Sequence, residues 1–397
     1  MVPSVPLSQT AASTAQPIGA GVVTALVGFG SSFPVVLAGL TAAGASQAQA
    51  ASGLFALCLA LGVAGILMSL ATKMPVSSAW STPGAALLVA TGAGAGGFPA
   101  AVGAFLAVGI LIIAAGLVRP LGALVASIPT AIANAMLAGV LFDLCLAPVK
   151  ALASDTLAAA AVIALWLVVG QWKRLFATPA AALLAALIIV ARAPVGAFSL
   201  ADAMPTPTFV MPSFSPGALV SIALPLFLVT MTSQNLAGLA VLQTFGYRPK
   251  PGPLIVTTGF FTLLAAPFGG HAVNLAAISA ALCASPDASP DPNKRWIAAV
   301  TCGALYLGIA LTAGLATQLL AISPLLIEAV AGLALLNAFS GALRAALAED
   351  DMREPAIVTF LLAASGVAFV HIGGAFWGLV GGGVVLGARR AAASLRR

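Results

Sequence analysis

The sequence predicts an all-α polytopic membrane protein of 14 transmembrane segments, arranged as a 7+7 inverted repeat with broken third and tenth spans. Three observations carry this. Of 397 residues, 61% are hydrophobic and 7% charged, whereas soluble domains hold about 25% charged residues. Apolar runs near the roughly 20 residues of a spanning helix recur along the chain, separated by short polar or Pro/Gly breaks. Lys and Arg cluster at alternate segment ends, which fixes span parity.

The expected spans are 17–42, 51–71, a broken element 76–93, 99–117, 123–146, 155–172 and 178–191. The second half repeats the set as 215–243, 253–267, a broken element 268–284, 295–317, 322–346, 355–369 and 373–388. The Pro- and Ser-rich stretch 192–216 divides the halves, giving repeats over 17–191 and 215–388. Transmembrane β-barrels alternate apolar and polar residues in segments of roughly ten, and these runs do not alternate. The first 16 residues hold no Lys or Arg, and the apolar run to Thr41 exceeds a signal h-region, so the first helix is expected to be retained.

With the N-terminus inside, the inner segments hold Lys73, Arg119, Lys173, Arg174, Arg248, Lys250, Lys294, Arg295, Arg344, Arg353, Arg389, Arg390, Arg396 and Arg397. Only Lys150 and Arg192 fall outside. One span more or fewer would mix the two populations, so both termini are expected in the cytoplasm. Seven spans per half is odd, so the second half is inverted. The net charge of +6 lies at segment ends with no basic, aromatic-interleaved stripe, and nucleic acid is not an expected partner. Cys58, Cys145, Cys283 and Cys302 show no metal-ligand spacing, so neither metal nor cofactor is indicated.

The halves match at SAWSTPGAALLVATG (78–92) and FGGHAVNLAAISAAL (268–282), each an extended or Gly-rich stretch with a helix too short to cross alone. Irregular backbone at membrane depth persists only where protein or a water-filled cavity satisfies it, and paired breaks point to a binding site. Ser81 and Thr82 before Pro83 and Gly84 suit an N-cap and first turn, whose free N–H groups and positive dipole end favour an anion. In the other half Gly269 and Gly270 supply the break, His271 is expected where the second half-helix begins, and Asn274 follows one turn on. The alternative is a simple kink at Pro83 and a packing contact at the glycines.

The eighth span carries MTSQN (231–235). Gln234 and Asn235 are expected to face the cavity, since lipid exposure is costly. Thr232 and Ser233 suit either the cavity or helix–helix hydrogen bonds. His271 is the first candidate for proton coupling because imidazole titrates near physiological pH. Glu328, one turn into the twelfth span, is a second candidate, as a buried carboxylate or as an interfacial cap. Asp143 and Lys150 are expected to mark the outer end of the fifth span, and His371 an interfacial turn. GAGAGG (92–97) lacks the strand–turn–helix setting of a phosphate loop, and no paired-carboxylate or Ser-His-Asp set appears, so an enzyme is not expected.

AWSTPGAALL (79–88), AMLAGVLF (135–142), ALPLFLVTMTSQN (223–235), GYRP (246–249), APFGGHAVNLAAISAA (266–281) and SPDP (289–292) resemble the benzoate/proton symporter family, distant relatives of the nucleobase and ascorbate transporters. The resemblance covers most of the chain. It implies a core domain of spans 1–4 and 8–11, a gate domain of spans 5–7 and 12–14, substrate held between them, and possible homodimers. It further implies proton-coupled uptake of benzoate or a similar aromatic carboxylate in a bacterial inner membrane. Where the nucleobase branch carries carboxylates, the comparable positions look like Gln234 and His271, which can donate hydrogen bonds to an anion. Phe29, Phe33, Trp80 and Phe268 are candidate walls for the aromatic ring. A nucleobase symporter, or an uncoupled anion channel or exchanger on the same fold, is the alternative.

Overall fold

The computed structural model describes residues 14–94, 96–118, 120, 127–194, 196–199, 203–369 and 372–395. Arg119, His371, Arg396 and Arg397, named above, lie outside them. The first half comprises α1 (Ala15–Ala42), α2 (Gln47–Thr72), β1 (Ser78–Trp80), α3 (Thr82–Thr91), α4 (Gly97–Leu117), α5 (Thr130–Ser154), α6 (Thr156–Trp172) and α7 (Arg174–Arg192). The second comprises α8 (Pro216–Thr244), α9 (Pro251–Ala265), β2 (Val273–Leu275), α10 (Ile278–Ala284), α11 (Trp296–Ala310), α12 (Ala313–Ile322), α13 (Pro324–Ala346), α14 (Arg353–Ala364) and α15 (Gly374–Leu395).

Among the described residues, eight helices are long and apolar enough to cross a membrane alone. Pro292–Ala310 and Ala313–Ile322, bent by 59° at their break, pass the same test as a pair. The protein is a multi-pass membrane protein. The expected eleventh span, 295–317, is therefore two helices. Both the N–H and the hydroxyl of Thr312 bond Ile309 O, at 2.9 and 2.7 Å, tightening and closing the end of α11.

The fifth expected span also needs correction: α5 runs on to Ser154, where Asp155 accepts from the Ala158 N–H and caps α6. Asp143 thus lies eleven residues inside the helix, about 17 Å below its end at 1.5 Å per residue. It is not an end marker.

Glycines set the closest helix approaches. A Cβ at Gly62 of α2 would lie 2.7 Å from Gly303 O of α11, and one at Gly303 would lie 2.6 Å from Gly62 O. Gly109 of α4 and Gly259 of α9 face each other in the same way, at 3.2 and 2.9 Å from the opposing carbonyls. Small residues let backbones touch where lipid supplies no hydrophobic driving force between helices. The 203–215 stretch lies along α2, α4 and the turn after α9, through Thr208 N to Ser52 Oγ (2.8 Å), Ser213 N to Pro99 O (3.0 Å) and Val210 N to Pro267 O (2.8 Å).

Candidate functional site

The two breaks meet. β1 and β2 pair antiparallel, with Ser78 opposite Leu275, Ala79 opposite Asn274 and Trp80 opposite Val273. The ladder extends through Ala276 N to Ser77 O (2.9 Å) and Ser81 N to Ala272 O (3.2 Å). Side chains close the outer edge of β2: Thr262 Oγ1 accepts from Val273 N at 2.9 Å, and Asn235 Oδ1 accepts from Leu275 N at 3.0 Å. An extended segment survives inside an apolar bundle because these donors have acceptors.

The first half-helix forms as its cap sequence requires. Ser81 is extended, and its Oγ accepts from Gly84 N at 3.1 Å while Pro83 fills the first turn. The same oxygen accepts from the Thr230 hydroxyl of α8 at 3.0 Å. Of the first-turn donors, Gly84 and Ala85 are thus bonded to Ser81, and Pro83 has none. The Thr82 N–H has no acceptor among the described residues. With ten residues, α3 spans about 15 Å, half the hydrocarbon thickness.

The second half-helix starts later than the sequence suggested. Extended chain continues past His271 and Asn274, and α10 begins only at Ile278. Gly270 N bonds Ala265 O, and Gly269, at φ +92°, makes the turn that a side chain would strain. His271 is fully buried, with its ring edge-on to Phe105. Its Nε2 lies 2.9 Å from the Ser81 carbonyl, so Nε2 carries the proton and donates, while Nδ1 has no partner among the described residues. His271 therefore joins one break to the other instead of heading a half-helix. Asn274 is fully buried, and neither amide atom has a partner among the described residues.

The MTSQN run adopts a π-helical turn, Met231–Asn235, a feature frequent at functional sites. Thr232 and Ser233 bond their own helix at Leu228 O and Val229 O, 2.8 and 2.6 Å. Asn235 is buried as the β2 edge cap, and Gln234 is half-buried with no protein partner among the described residues. Trp80, 2% exposed, donates from Nε1 to Ser32 Oγ at 3.0 Å and packs edge-on to Phe29 and Tyr306. Phe33, 7% exposed, stacks on Phe29 at 5.0 Å. Trp80 and Phe33 thus back Phe29, the half-buried ring of the three. Phe268 departs from the group, packing on Phe209 beside a groove lined by Phe55 and Phe261.

Glu328 is half-buried on α13, within electrostatic reach of Lys150 and Asp143, which pair at 2.6 Å. The structure does not bring it to the half-helix ends. Three contributors escaped sequence reading. Thr230 and Thr262 are polar residues buried in apolar spans, a signal as legible as MTSQN. Ile278 is 74% exposed three residues after the end of a fully buried strand, although α10 packs on α1, α8 and α11. No sequence feature marks it.

The family model described as benzoate membrane transport protein matches residues 11–388. The chain belongs to this family. It is 39% identical over 366 residues to "Inner membrane protein YdcO" of Escherichia coli (strain K12), covering 92% of this chain and 93% of that protein. It is 33% identical over 374 residues to "Benzoate membrane transport protein" of Acinetobacter baylyi (strain ATCC 33305 / BD413 / ADP1), covering 91% of each. Among solved structures, the transmembrane domain of the cyanobacterial bicarbonate transporter BicA superposes with TM-score 0.61 at 17% identity, over 88% of this chain and 97% of that domain. That likeness shows the fold alone. The family is one of membrane transporters, not of enzymes, and this member is a membrane transporter.

Proposed function

We propose that the protein takes up benzoate or a similar small aromatic carboxylate together with protons, by alternating access across a bacterial inner membrane. The observation that carries this reading is the pairing of two helix breaks through β1 and β2, in a chain of the benzoate transport family. The carboxylate takes the unpaired Thr82 N–H at the positive end of α3, in a turn shaped by Ser81, Pro83 and Gly84. The free Gln234 amide donates from α8, with the Ser233 hydroxyl one residue away. The ring lies against Phe29, with Phe33 and Trp80 behind it.

His271 and Asn235 hold the breaks in register through their side chains, Asn274 through its backbone opposite Ala79, and Gly270 closes the turn; only Ser81 links His271 to the anion. Proton coupling runs through His271 or Glu328. Nδ1 of His271 can take a proton without releasing Ser81, and Glu328 is a half-buried carboxylate on α13 within electrostatic reach of Lys150 and Asp143.

The 14-span inverted repeat is the architecture we favour. The α2–α11 and α4–α9 glycine contacts exchange under an inverted two-fold, and β1–β2 maps onto itself. Spans 1–4 and 8–11 then form the core, and spans 5–7 and 12–14 the gate. Both termini are cytoplasmic, and two copies associate through the gate.

Equilibrium binding to the purified protein tests the substrate class. Benzoate should bind saturably, and uracil or xanthine should not displace it. Displacement by a nucleobase, or absence of benzoate binding, would replace this reading with the nucleobase alternative or remove it.

A further inference from the structure

Arg295 is the one lysine, arginine or carboxylate that the fold buries among the described residues, at 6% exposure. No carboxylate among them pairs with it. Its guanidinium bonds carbonyls instead: Nη1 donates to Ala284 O at 2.8 Å and Nε to Ser289 O at 2.7 Å. Ala284 is the last residue of α10. A buried cation is costly unless its donors are used, and a helix C-terminus offers unpaired carbonyls with a negative dipole end.

A second contact reaches the same loop from α8. After the helix closes at Gly246, with φ +85°, the Tyr247 hydroxyl donates to Pro292 O at 2.9 Å, and Tyr247 interacts with the Arg295 side chain. Helices of two turns do not hold their place unaided, because stability at that length comes from tertiary contacts. The other end of α10 carries Ser279, whose Oγ lies near Gly28 of α1, and the exposed Ile278.

We propose that Arg295 and Tyr247 form a latch fixing α10 to the end of α8, and that both are positioning residues for the proposed anion site. The latch sets where Ile278 and Ser279 stand relative to Gln234 on α8 and Phe29 on α1. Neither residue touches the anion. Its importance for binding rests on the function proposed above, but the latch itself is readable without any substrate.

The test is amide exchange of the full-length protein in detergent micelles, with benzoate binding measured on the same samples, for Arg295→Met, Arg295→Lys and Tyr247→Phe. Exchange in 276–285 should quicken about tenfold in Arg295→Met and about threefold in Tyr247→Phe, with 82–91 unchanged. Arg295→Lys, keeping a cation but only one donor group, should fall between wild type and Arg295→Met. Benzoate Kd should rise in the same order, by about tenfold at most. If Arg295→Met does not fold, the two milder variants still report. Unchanged exchange in 276–285, exchange raised equally in every helix, or an unaltered Kd beside faster local exchange would each overturn the proposal. Faster local exchange in a protein whose wild type binds no benzoate would uphold the latch while removing the substrate reading.

Discussion

Replacing Ser81 with alanine removes one oxygen that serves two donors. Ser81 Oγ accepts from Gly84 N at 3.1 Å, capping α3, and from the Thr230 hydroxyl at 3.0 Å. Loss of an N-cap serine costs about 1 kcal/mol. A stranded buried hydroxyl costs about 1–3 kcal/mol, and Thr230 can lower that by turning back to a carbonyl one turn earlier in α8. The sum is about 2–3 kcal/mol of stability. Because the Ser81 cap fixes the first turn that presents the Thr82 N–H to the anion, part of the loss appears in binding, and about 1.4 kcal/mol of it would raise Kd tenfold.

Thr230→Val is the comparator, since it removes the second bond and leaves the cap intact. Thermal unfolding in detergent should report destabilisation in both variants. Benzoate titration should show a roughly tenfold weaker Kd in Ser81→Ala and a Kd within about threefold of wild type in Thr230→Val. Wild-type affinity in Ser81→Ala, at a lowered melting temperature, would show that the α3 cap serves folding only and would refute the placement of the anion.

Gln234→Ala removes the unpartnered amide of the π turn and should weaken benzoate binding about tenfold with little change in melting temperature, the loss expected of one charge-assisted hydrogen bond; equal titration curves would move the site off α8. Asn235→Leu leaves Leu275 N without its acceptor in the bilayer interior and should cost about 1–3 kcal/mol, read as a lowered melting temperature. His271→Ala strands the backbone carbonyl of Ser81 and should cost about 1–3 kcal/mol, read as a lowered melting temperature together with weaker benzoate binding; wild-type affinity at a lowered melting temperature would separate the imidazole from the anion site.

Apolar run length made the membrane class legible. Ser81-Thr82-Pro83 encoded the first half-helix in full, because cap and first-turn preferences are local. The second break was legible as a break and not in its extent. Gly269 and Gly270 announce the turn, but whether 271–277 coils or extends depends on β1, almost 200 residues away, and on Thr262 and Asn235 at the strand edge. The residue type of His271 suggests a titratable cavity group, whereas its neighbours, Phe105 and the Ser81 carbonyl, come from two distant segments. Asp143 misled for a similar reason: a charge in an apolar run suggests an end, and its pairing with Lys150 lets α5 continue to Ser154.

Uptake of labelled benzoate into proteoliposomes, with and without an inward proton gradient, bears most directly on the proposed symport. Saturable uptake, accelerated by the gradient and abolished when a protonophore collapses it, is the expected result. Equal uptake in both conditions would contradict proton coupling, and no saturable uptake in either would contradict the assignment of an aromatic carboxylate to the paired breaks.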